Sequence, residues 1–259
     1  MKFVVIGGTG LIGSKVVSRL LDQGHEVIAA APSTGIDILT GEGLDDAMVG
    51  TDVVVDLANS PSFEDAAVMD FFQTAGRNVL GAEAKAGVGH HLALSVVGVE
   101  KLSASGYFRA KITQEQLIRA SGIPYTIVHS TQFFEFLPGI IQSGADGGTV
   151  RLPPALVQPI ASEDVADAVA RLAVQPPANG IVQIAGPERE PLSDLAQRFM
   201  TIVQDPREVV SDAHARYFGA ELQRDTLVPE AAAWQGALNF EHWLEQSEYA
   251  RYAPRAQTP

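Results

Sequence analysis

The sequence predicts an α/β protein with a Rossmann-type, doubly wound parallel sheet and a smaller α/β lobe toward the C-terminal end. Apolar runs alternate with amphipathic segments through residues 1–130, as expected when helices connect parallel strands. The runs are apolar at successive positions, which is typical of strands that helices cover on both faces. A glycine-rich turn joins the first run to the first amphipathic segment.

The elements of this first part are predicted from apolar spacing and from stop and cap residues. The predicted strands are KFVVI (2–6), HEVIAAA (25–31), TDVVVDLA (51–58), HHLALSVVG (90–98) and IPYTIVHS (123–130). The predicted helices are residues 11–24, 45–50, 62–87 with Ser62 at its start, and 106–121.

Beyond residue 130 the alternation becomes less regular. An aromatic-rich stretch (131–144) precedes proline-punctuated strands, a helix beginning at Ser162 and a strand in NGIVQIAGP. Further helices are predicted near 191–203 and 230–248, with Trp234 and Trp243 anchoring the last one, and APRAQTP (253–259) is predicted to be a frayed tail. We therefore predict a core at 1–130 and a lobe at 131–259, interwoven as a single structural unit.

Composition excludes several classes of function. The formal net charge is −13, and an acidic surface disfavours nucleic acids and anionic membrane surfaces as partners. There is no cysteine, no apolar run of membrane-spanning length, no signal-peptide pattern in MKFVVIGGTG, and no His–Glu–x–x–His motif or carboxylate cluster for a metal. We expect a soluble, cytoplasmic monomer or homodimer that binds a small molecule and no metal.

The turn VVIGGTGLIG places three glycines three residues apart, directly after a strand and at the start of a helix. Gly7 permits a tight turn, Gly10 lets the backbone approach a pyrophosphate at the positive end of the helix dipole, and Gly13 allows close packing. A strand–helix turn without a ligand is the alternative, but the context favours dinucleotide binding. The predicted contacts are Gly7, Thr9, Gly10, Leu11, Ile12 and Gly13.

Several segments in order, GGTGLIG, VDLANS, LSVVG, YFRAK, SGIPYTIV and QPIASEDVADAV, resemble the short-chain dehydrogenase/reductase superfamily. The similarity is to its extended and atypical branches, especially the NmrA-like NAD(P)-binding proteins, and it covers most of the chain. The resemblance implies a Rossmann core that binds NAD(P)(H), with a substrate pocket formed partly by the C-terminal lobe.

The end of the second strand, VIAAAPSTG, bears on which dinucleotide binds. A carboxylate there favours NAD and an arginine favours NADP; this chain has neither, whereas many NmrA-like relatives carry an arginine near Pro32. Hydrogen bonds from Ser33 and Thr34 slightly favour NADP(H), although these residues also suit a simple turn. The resemblance places Asn59 and Ser60 beside the adenosine and ribose.

Tyr107 and Lys111 are four residues apart in a predicted helix and therefore share a face. An ammonium group near a phenol lowers the phenol pKa toward a useful range for proton transfer. Together with Ser95, whose hydroxyl would hold the substrate oxygen, they are similar to the Ser and Tyr-x-x-x-Lys arrangement of the superfamily. Lys111 would also contact the nicotinamide ribose. The usual asparagine of the preceding helix is not evident, and Gln73 is nearest to it.

Residues after the fifth strand are the predicted substrate contacts, because ligands bind beyond the carboxyl ends of parallel strands. Clustered phenylalanines there favour an apolar or aromatic substrate, while a hydrophobic core of the lobe is an equally good interpretation. The predicted contacts are His129, Gln132, Phe133 and Phe134.

We therefore predict an NAD(P)H-dependent oxidoreductase that reduces a small, fairly apolar carbonyl, quinone or enone, with Tyr107 as proton donor. An NmrA-like dinucleotide-sensing regulator without turnover is the first alternative. A nucleotide-sugar epimerase is the second.

Overall fold

A central parallel sheet organises the molecule. The structure is a computed structural model that describes residues 1–232 and 234–252; the predicted tail at 253–259 lies outside this range. The strands of the described residues are β1 (Lys2–Ile6), β2 (Glu26–Ala30), β3 (Val53–Asp56), β4 (His90–Val96), β5 (Tyr125–Ser130), β6 (Ala145–Asp146), β7 (Thr149–Leu152), β8 (Leu156–Val157), β9 (Gly180–Ala185), β10 (Glu190–Pro191), β11 (Glu208–Ser211) and β12 (Trp234–Gln235).

Helices connect most of these strands. The α-helices of the described residues are α1 (Leu11–Asp22), α2 (Leu44–Met48), α3 (Asp65–Ala86), α4 (Gly106–Ala120), α5 (Leu137–Ser143), α6 (Ser162–Ala173), α7 (Leu192–Ile202) and α8 (Phe240–Gln246). Seven strands of the described chain form the main sheet in the order β2-β1-β3-β4-β5-β9-β12, and every pairing within it is parallel. The predicted Rossmann-type fold is confirmed.

Alternate residues of β1 show why its sequence is apolar throughout. Phe3 and Val5 pack toward α1 and α6, whereas Val4 and Ile6 pack toward α2 and α3. All four are at most 1% exposed, and burying each such side chain contributes roughly 1.5–3 kcal/mol. The strand is therefore stabilised from both faces, as expected for a parallel sheet between helical layers.

The second half of the chain contributes to both the main sheet and a separate lobe. Strands β9 and β12 extend the main sheet beside β5. The lobe contains the sheet β6-β7-β11 and the pair β8-β10, and its core includes Phe134, Leu195, Phe199 and Trp243.

The predicted helix at 230–248 is wrong over its first part. Trp234 lies in β12, where it pairs with Ile184 of β9, so it does not anchor the last helix. Helix α8 begins only after Asn239, whose side chain accepts a hydrogen bond from the His242 backbone. Trp243 lies in that helix and packs in the lobe core as expected.

The predicted start of the long helix at Ser62 is also corrected. The Ser62 hydroxyl accepts a hydrogen bond from the Glu64 backbone, which forms a turn before the helix, and α3 begins at Asp65. A serine that bonds its own backbone two residues on is as typical of a turn as of a cap.

Candidate functional site

The glycine turn has the geometry expected of a phosphate-binding loop. Gly7 has a φ of +71°, and its carbonyl accepts a hydrogen bond from Gly10. A side chain at Gly13 would clash with the Gly7 carbonyl. Gly8, which the sequence analysis passed over, also requires glycine, because its Cβ would lie 2.7 Å from the Ala29 Cα of β2. The two consecutive glycines, Gly7 and Gly8, are the sequence signal for this close approach of the backbone to β2.

The first turn of α1 is open to an anion. Gly10 precedes the helix, no side chain of the described residues caps it, and its first turn carries no acidic residue. Thr9, Gly10 and Leu11 are exposed at this turn, whereas Ile12 is buried beneath it. Free backbone N–H groups and the helix dipole favour a phosphate at such a position, so these residues fit a dinucleotide.

The turn after β2 presents fewer free hydroxyl groups to a phosphate than expected. The Thr34 hydroxyl contacts the carbonyls of Ala29 and Ala31 at 2.8 Å and accepts from the Ala31 backbone at 3.0 Å. It is therefore bonded within its own turn, and its role as a phosphate ligand stays a prediction. Ser33 is exposed.

Asn59 and Ser60, which follow β3, differ in their exposure. Asn59 is exposed, while Ser60 is buried and its hydroxyl accepts from the Ser62 backbone at 3.2 Å. Asn59 is therefore the side chain of this pair that is accessible to a ligand.

Lys111 lies on the buried face of α4. Its Nζ donates to the Leu94 carbonyl at 2.8 Å and to the Gln114 side chain, and it lies 4.7 Å from the centre of the Phe72 ring. The Gln114 amide in turn donates to Asp56 at 2.8 Å. Burial lowers the pKa of Lys111 to about 8, although the nearby carboxylates oppose this shift. The ammonium is therefore charged at neutral pH and lies close to its titration range.

Ser95 belongs to a buried hydrogen-bond network, and its predicted contact with the substrate oxygen stays a prediction. Its hydroxyl donates to Glu115 of α4 at 2.6 Å, and both residues are buried. The same carboxylate accepts from His129 and from Arg119, each at 2.8 Å. Burial opposes ionisation, but these three donors outweigh it and hold the pKa of Glu115 below its usual value.

The register of the sheet explains this arrangement. Ser95 of β4 pairs with His129 of β5, and both side chains reach Glu115 beneath α4. In this structure both side chains are engaged by Glu115, and their predicted roles in substrate binding stay predictions.

Tyr107 lies in the first turn of α4 among other rings. Ring centres lie 5.5 Å away for Phe63, 6.3 Å for Phe72 and 5.3 Å for Phe108, and Tyr217 stacks on Phe108 at 6.3 Å. We call these five residues the aromatic cluster. Burial raises the pKa of Tyr107 to about 12. Burial is the cause of this shift, with no lowering by the Lys111 ammonium, which is bonded to the Leu94 carbonyl and the Gln114 side chain.

The residues after β5 have separate environments. Phe134 is 3% exposed and packs against Phe240 and Trp243 in the lobe core, which supports the alternative of a packing residue. Phe133 is partly buried and stacks on Phe136 at 5.2 Å. Gln132 is 8% exposed, and neither polar atom of its amide has a partner among the described residues.

Four members of the aromatic cluster, Phe63, Phe72, Phe108 and Tyr217, were not predicted from the sequence. Tyr217, in the lobe, is buried in the aromatic cluster, and Phe63 stands 66% exposed at its edge. The only sequence signal for Tyr217 was an aromatic pair, Tyr217 and Phe218, between polar residues and Gly219.

A cleft of about 230 Å³ opens between α1, α6 and α8, with Leu11, Lys15, Glu135 and Trp243 in its wall. Neither Tyr107 nor Gln132 lines it. The carboxylate of Glu135 is already bonded to Ser162 and to the Trp243 indole, so we do not place the chemistry in this cleft.

Helices of the described part of the chain are all too short or too polar to cross a bilayer. Within residues 1–232 and 234–252, no group of three or more histidine or carboxylate side chains is arranged to hold a metal ion.

Curated proteins with known names resemble the chain over part of its length. A divinyl chlorophyllide a 8-vinyl-reductase from Cucumis sativus is 30% identical over 224 residues, covering 71% of this chain and 52% of that protein. The photosystem II assembly factor Ycf39 from Cyanophora paradoxa is 28% identical over 153 residues, covering 54% and 48%. The chain spans about half the length of these relatives.

Solved structures share the fold across nearly the whole chain. The dTDP-glucose 4,6-dehydratase DesIV from Streptomyces venezuelae, solved with NAD bound, matches with a TM-score of 0.74 at 18% identity, covering 97% of this chain and 96% of that one. The family model described as NAD(P)H-binding matches residues 7–176, more than half of the sequence and including the glycine turn and α4. The chain therefore belongs to the NAD(P)H-binding family, which confirms the resemblance to NAD(P)-binding Rossmann proteins.

Proposed function

We propose that the protein is an NAD(P)H-dependent reductase of a small, fairly apolar carbonyl, quinone or enone, with Tyr107 as its proton donor. The observation that carries the proposal is the position of the Tyr107 phenol in the first turn of α4, among four other aromatic side chains. Such a surrounding favours flat apolar substrates and keeps the phenol neutral.

The protonation states of Tyr107 and Lys111 at neutral pH suit the reduction of a carbonyl group. A bound nicotinamide supplies the hydride. Because its pKa is about 12, Tyr107 holds its proton at neutral pH and gives it to the oxygen that gains negative charge, and the phenolate then recovers a proton from solvent. Lys111 remains charged at neutral pH and holds the ribose of the dinucleotide from its place on the same helix face.

The cofactor we propose is NADP(H) rather than NAD(H). The segment after β2, residues 31–36, contains no carboxylate that would repel a 2′-phosphate. The exposed Ser33 hydroxyl is the side-chain contact that remains there, since the Thr34 hydroxyl is bonded to its own turn. The first turn of α1 would hold the pyrophosphate through its backbone N–H groups.

The name of the Cucumis sativus relative supports a reductase rather than a protein that only binds the dinucleotide. The aromatic surroundings of Tyr107 are consistent with a conjugated substrate.

The test is NADPH oxidation with a panel of quinones, enones and aromatic aldehydes, for the natural protein and for Tyr107→Phe. We expect turnover in the natural protein and a loss of roughly 10²–10⁴-fold in the variant, the usual contribution of a general acid, with NADPH affinity nearly unchanged. Tight NADPH binding without turnover of any compound would favour a dinucleotide-sensing regulator. Tight binding of a UDP-sugar would favour an epimerase.

A further inference from the structure

A two-residue hairpin of the lobe presents Tyr217 to the aromatic cluster. Tyr217 and Ala220 exchange backbone hydrogen bonds at 2.8 and 3.0 Å, and the two central residues, Phe218 and Gly219, have φ values of +46° and +88°. This turn favours asparagine, aspartate or glycine at its first central position, and a bulky residue with positive φ costs about 1–3 kcal/mol.

The residue in that strained position is exposed. Phe218 is 42% exposed, and its ring lies 4.8 Å from the Tyr217 ring, nearly perpendicular to it. The edge-to-face contact with Tyr217 leaves much of the Phe218 ring exposed, and the backbone preference of the turn disfavours a phenylalanine here. A strained residue that holds an aromatic ring at the edge of a site indicates a ligand contact.

Gln132 follows the end of β5 and neighbours Tyr217. Its amide is more than nine-tenths buried and has no partner among the described residues, which costs roughly 1–3 kcal/mol for an unpaired buried polar group. Burial and the neighbouring Tyr107 raise the pKa of Tyr217, whereas the Gln132 amide opposes that shift. The Gln132 amide therefore lies close to the Tyr217 phenol. Its nitrogen and oxygen have no partner among the described residues, so the amide can hydrogen-bond a ligand.

A substrate oxygen beside Tyr107 needs a second hydrogen-bond donor. Tyr107 supplies one hydroxyl, and the Ser95 hydroxyl is already bonded to the buried Glu115 carboxylate. A carbonyl oxygen that gains charge during reduction is stabilised by a further donor. Tyr107 and Tyr217 both pack on the Phe108 ring, and the Gln132 amide, which has no partner among the described residues, neighbours Tyr217.

We propose that Tyr217 and Gln132 bind the substrate oxygen beside Tyr107, in place of Ser95, and that Phe218 covers the ring of the substrate. The ligand class is a planar, conjugated ring that carries a carbonyl oxygen. The inference rests on the proposed function for that class of substrate, but it concerns binding and not turnover.

The experiment compares the binding of 1,4-naphthoquinone with that of naphthalene, which has the same rings without oxygens. Equilibrium dialysis of the full chain with saturating NADP⁺ allows no reduction, and the absence of cysteine removes thiol adducts. We expect the natural protein to bind the quinone more tightly than the hydrocarbon, and Tyr217→Phe to reduce that preference by about tenfold, the effect of one hydrogen bond of about 1.4 kcal/mol.

Two further variants separate the roles. Gln132→Leu reduces the preference in the same way without lowering the melting temperature, since the amide has no bond to lose in the free protein. Phe218→Asn suits the turn and weakens both ligands alike. Tyr125→Phe, at the opposite end of β5 from Gln132, is the matched control. It should leave the binding of naphthoquinone and of naphthalene unchanged.

The proposal is overturned if Tyr217→Phe retains the natural preference, or if the natural protein binds the two compounds equally. A natural protein that prefers the quinone in dialysis and yet does not oxidise NADPH with it would contradict the proposed function alone. A lower melting temperature of Gln132→Leu, with unchanged preference, would assign Gln132 to folding.

Discussion

The Ser95 hydroxyl donates a 2.6 Å hydrogen bond to the Glu115 carboxylate beneath α4. His129 and Arg119 donate to the same carboxylate, so one acidic side chain joins β4, β5 and α4. This relationship separates two groups of residues that the sequence suggested would act together. Ser95 and His129 stabilise the sheet–helix junction, whereas Tyr107 and Lys111 remain the candidates for chemistry.

Replacing Ser95 with alanine is expected to change stability more than turnover. The variant loses one bond to a buried carboxylate, which costs about 1.5–3 kcal/mol, while the proton donor is untouched. Urea unfolding and kcat for the best substrate of the panel measure the two effects. A loss of kcat comparable to that of Tyr107→Phe would return Ser95 to the catalytic group.

Glu115→Gln is expected to destabilise the protein in a pH-dependent way. Because the pKa of Glu115 is lowered in the folded state, its charge stabilises the fold above the ordinary carboxyl pKa, and this contribution is lost as pH falls through the lowered value. The difference in unfolding free energy between the natural protein and the variant should therefore be largest near neutrality and shrink below about pH 4.5. A difference that grows on acidification would contradict this assignment.

Lys111 is expected to make cofactor affinity depend on pH. Its pKa is about 8, so its positive charge is lost as pH rises through that value, and NADPH should bind more weakly at pH 9 than at pH 7. Lys111→Arg keeps its charge over this range and should bind with little dependence on pH, though more weakly in absolute terms. Fluorescence titration of NADPH measures both. Equal pH dependence in the two proteins would show that another group titrates.

Ser33→Asp is expected to shift the cofactor preference toward NAD(H). A carboxylate after β2 repels a 2′-phosphate and accepts hydrogen bonds from ribose hydroxyls, so the ratio of NADPH to NADH affinity should fall by about tenfold or more, given interactions of at least 1.4 kcal/mol. Ser33→Ala is the control and should lower the ratio only slightly. An unchanged ratio in the aspartate variant would place the 2′-phosphate elsewhere.

Much of the fold could be predicted because it depends on local pattern. The apolar runs of β1 and β3, the glycine turn and the helix that carries Tyr107 each have a signal within a few residues, and all were located within a few positions of their bounds. The last part of the chain was harder to predict. Trp234 joins the sheet through a two-residue strand, which is too short to produce a periodic pattern.

The sequence by itself determined the layered α/β fold, the glycine turn and the shared helix face of Tyr107 and Lys111, because these follow from spacing along the chain. Only the tertiary structure decided which groups face one another. Register across β4 and β5 brings Ser95 and His129 to Glu115, and packing of the lobe brings Tyr217 to the ring of Phe108. Those contacts join residues far apart in the chain, and their energies depend on burial and neighbouring charge, which no local pattern records.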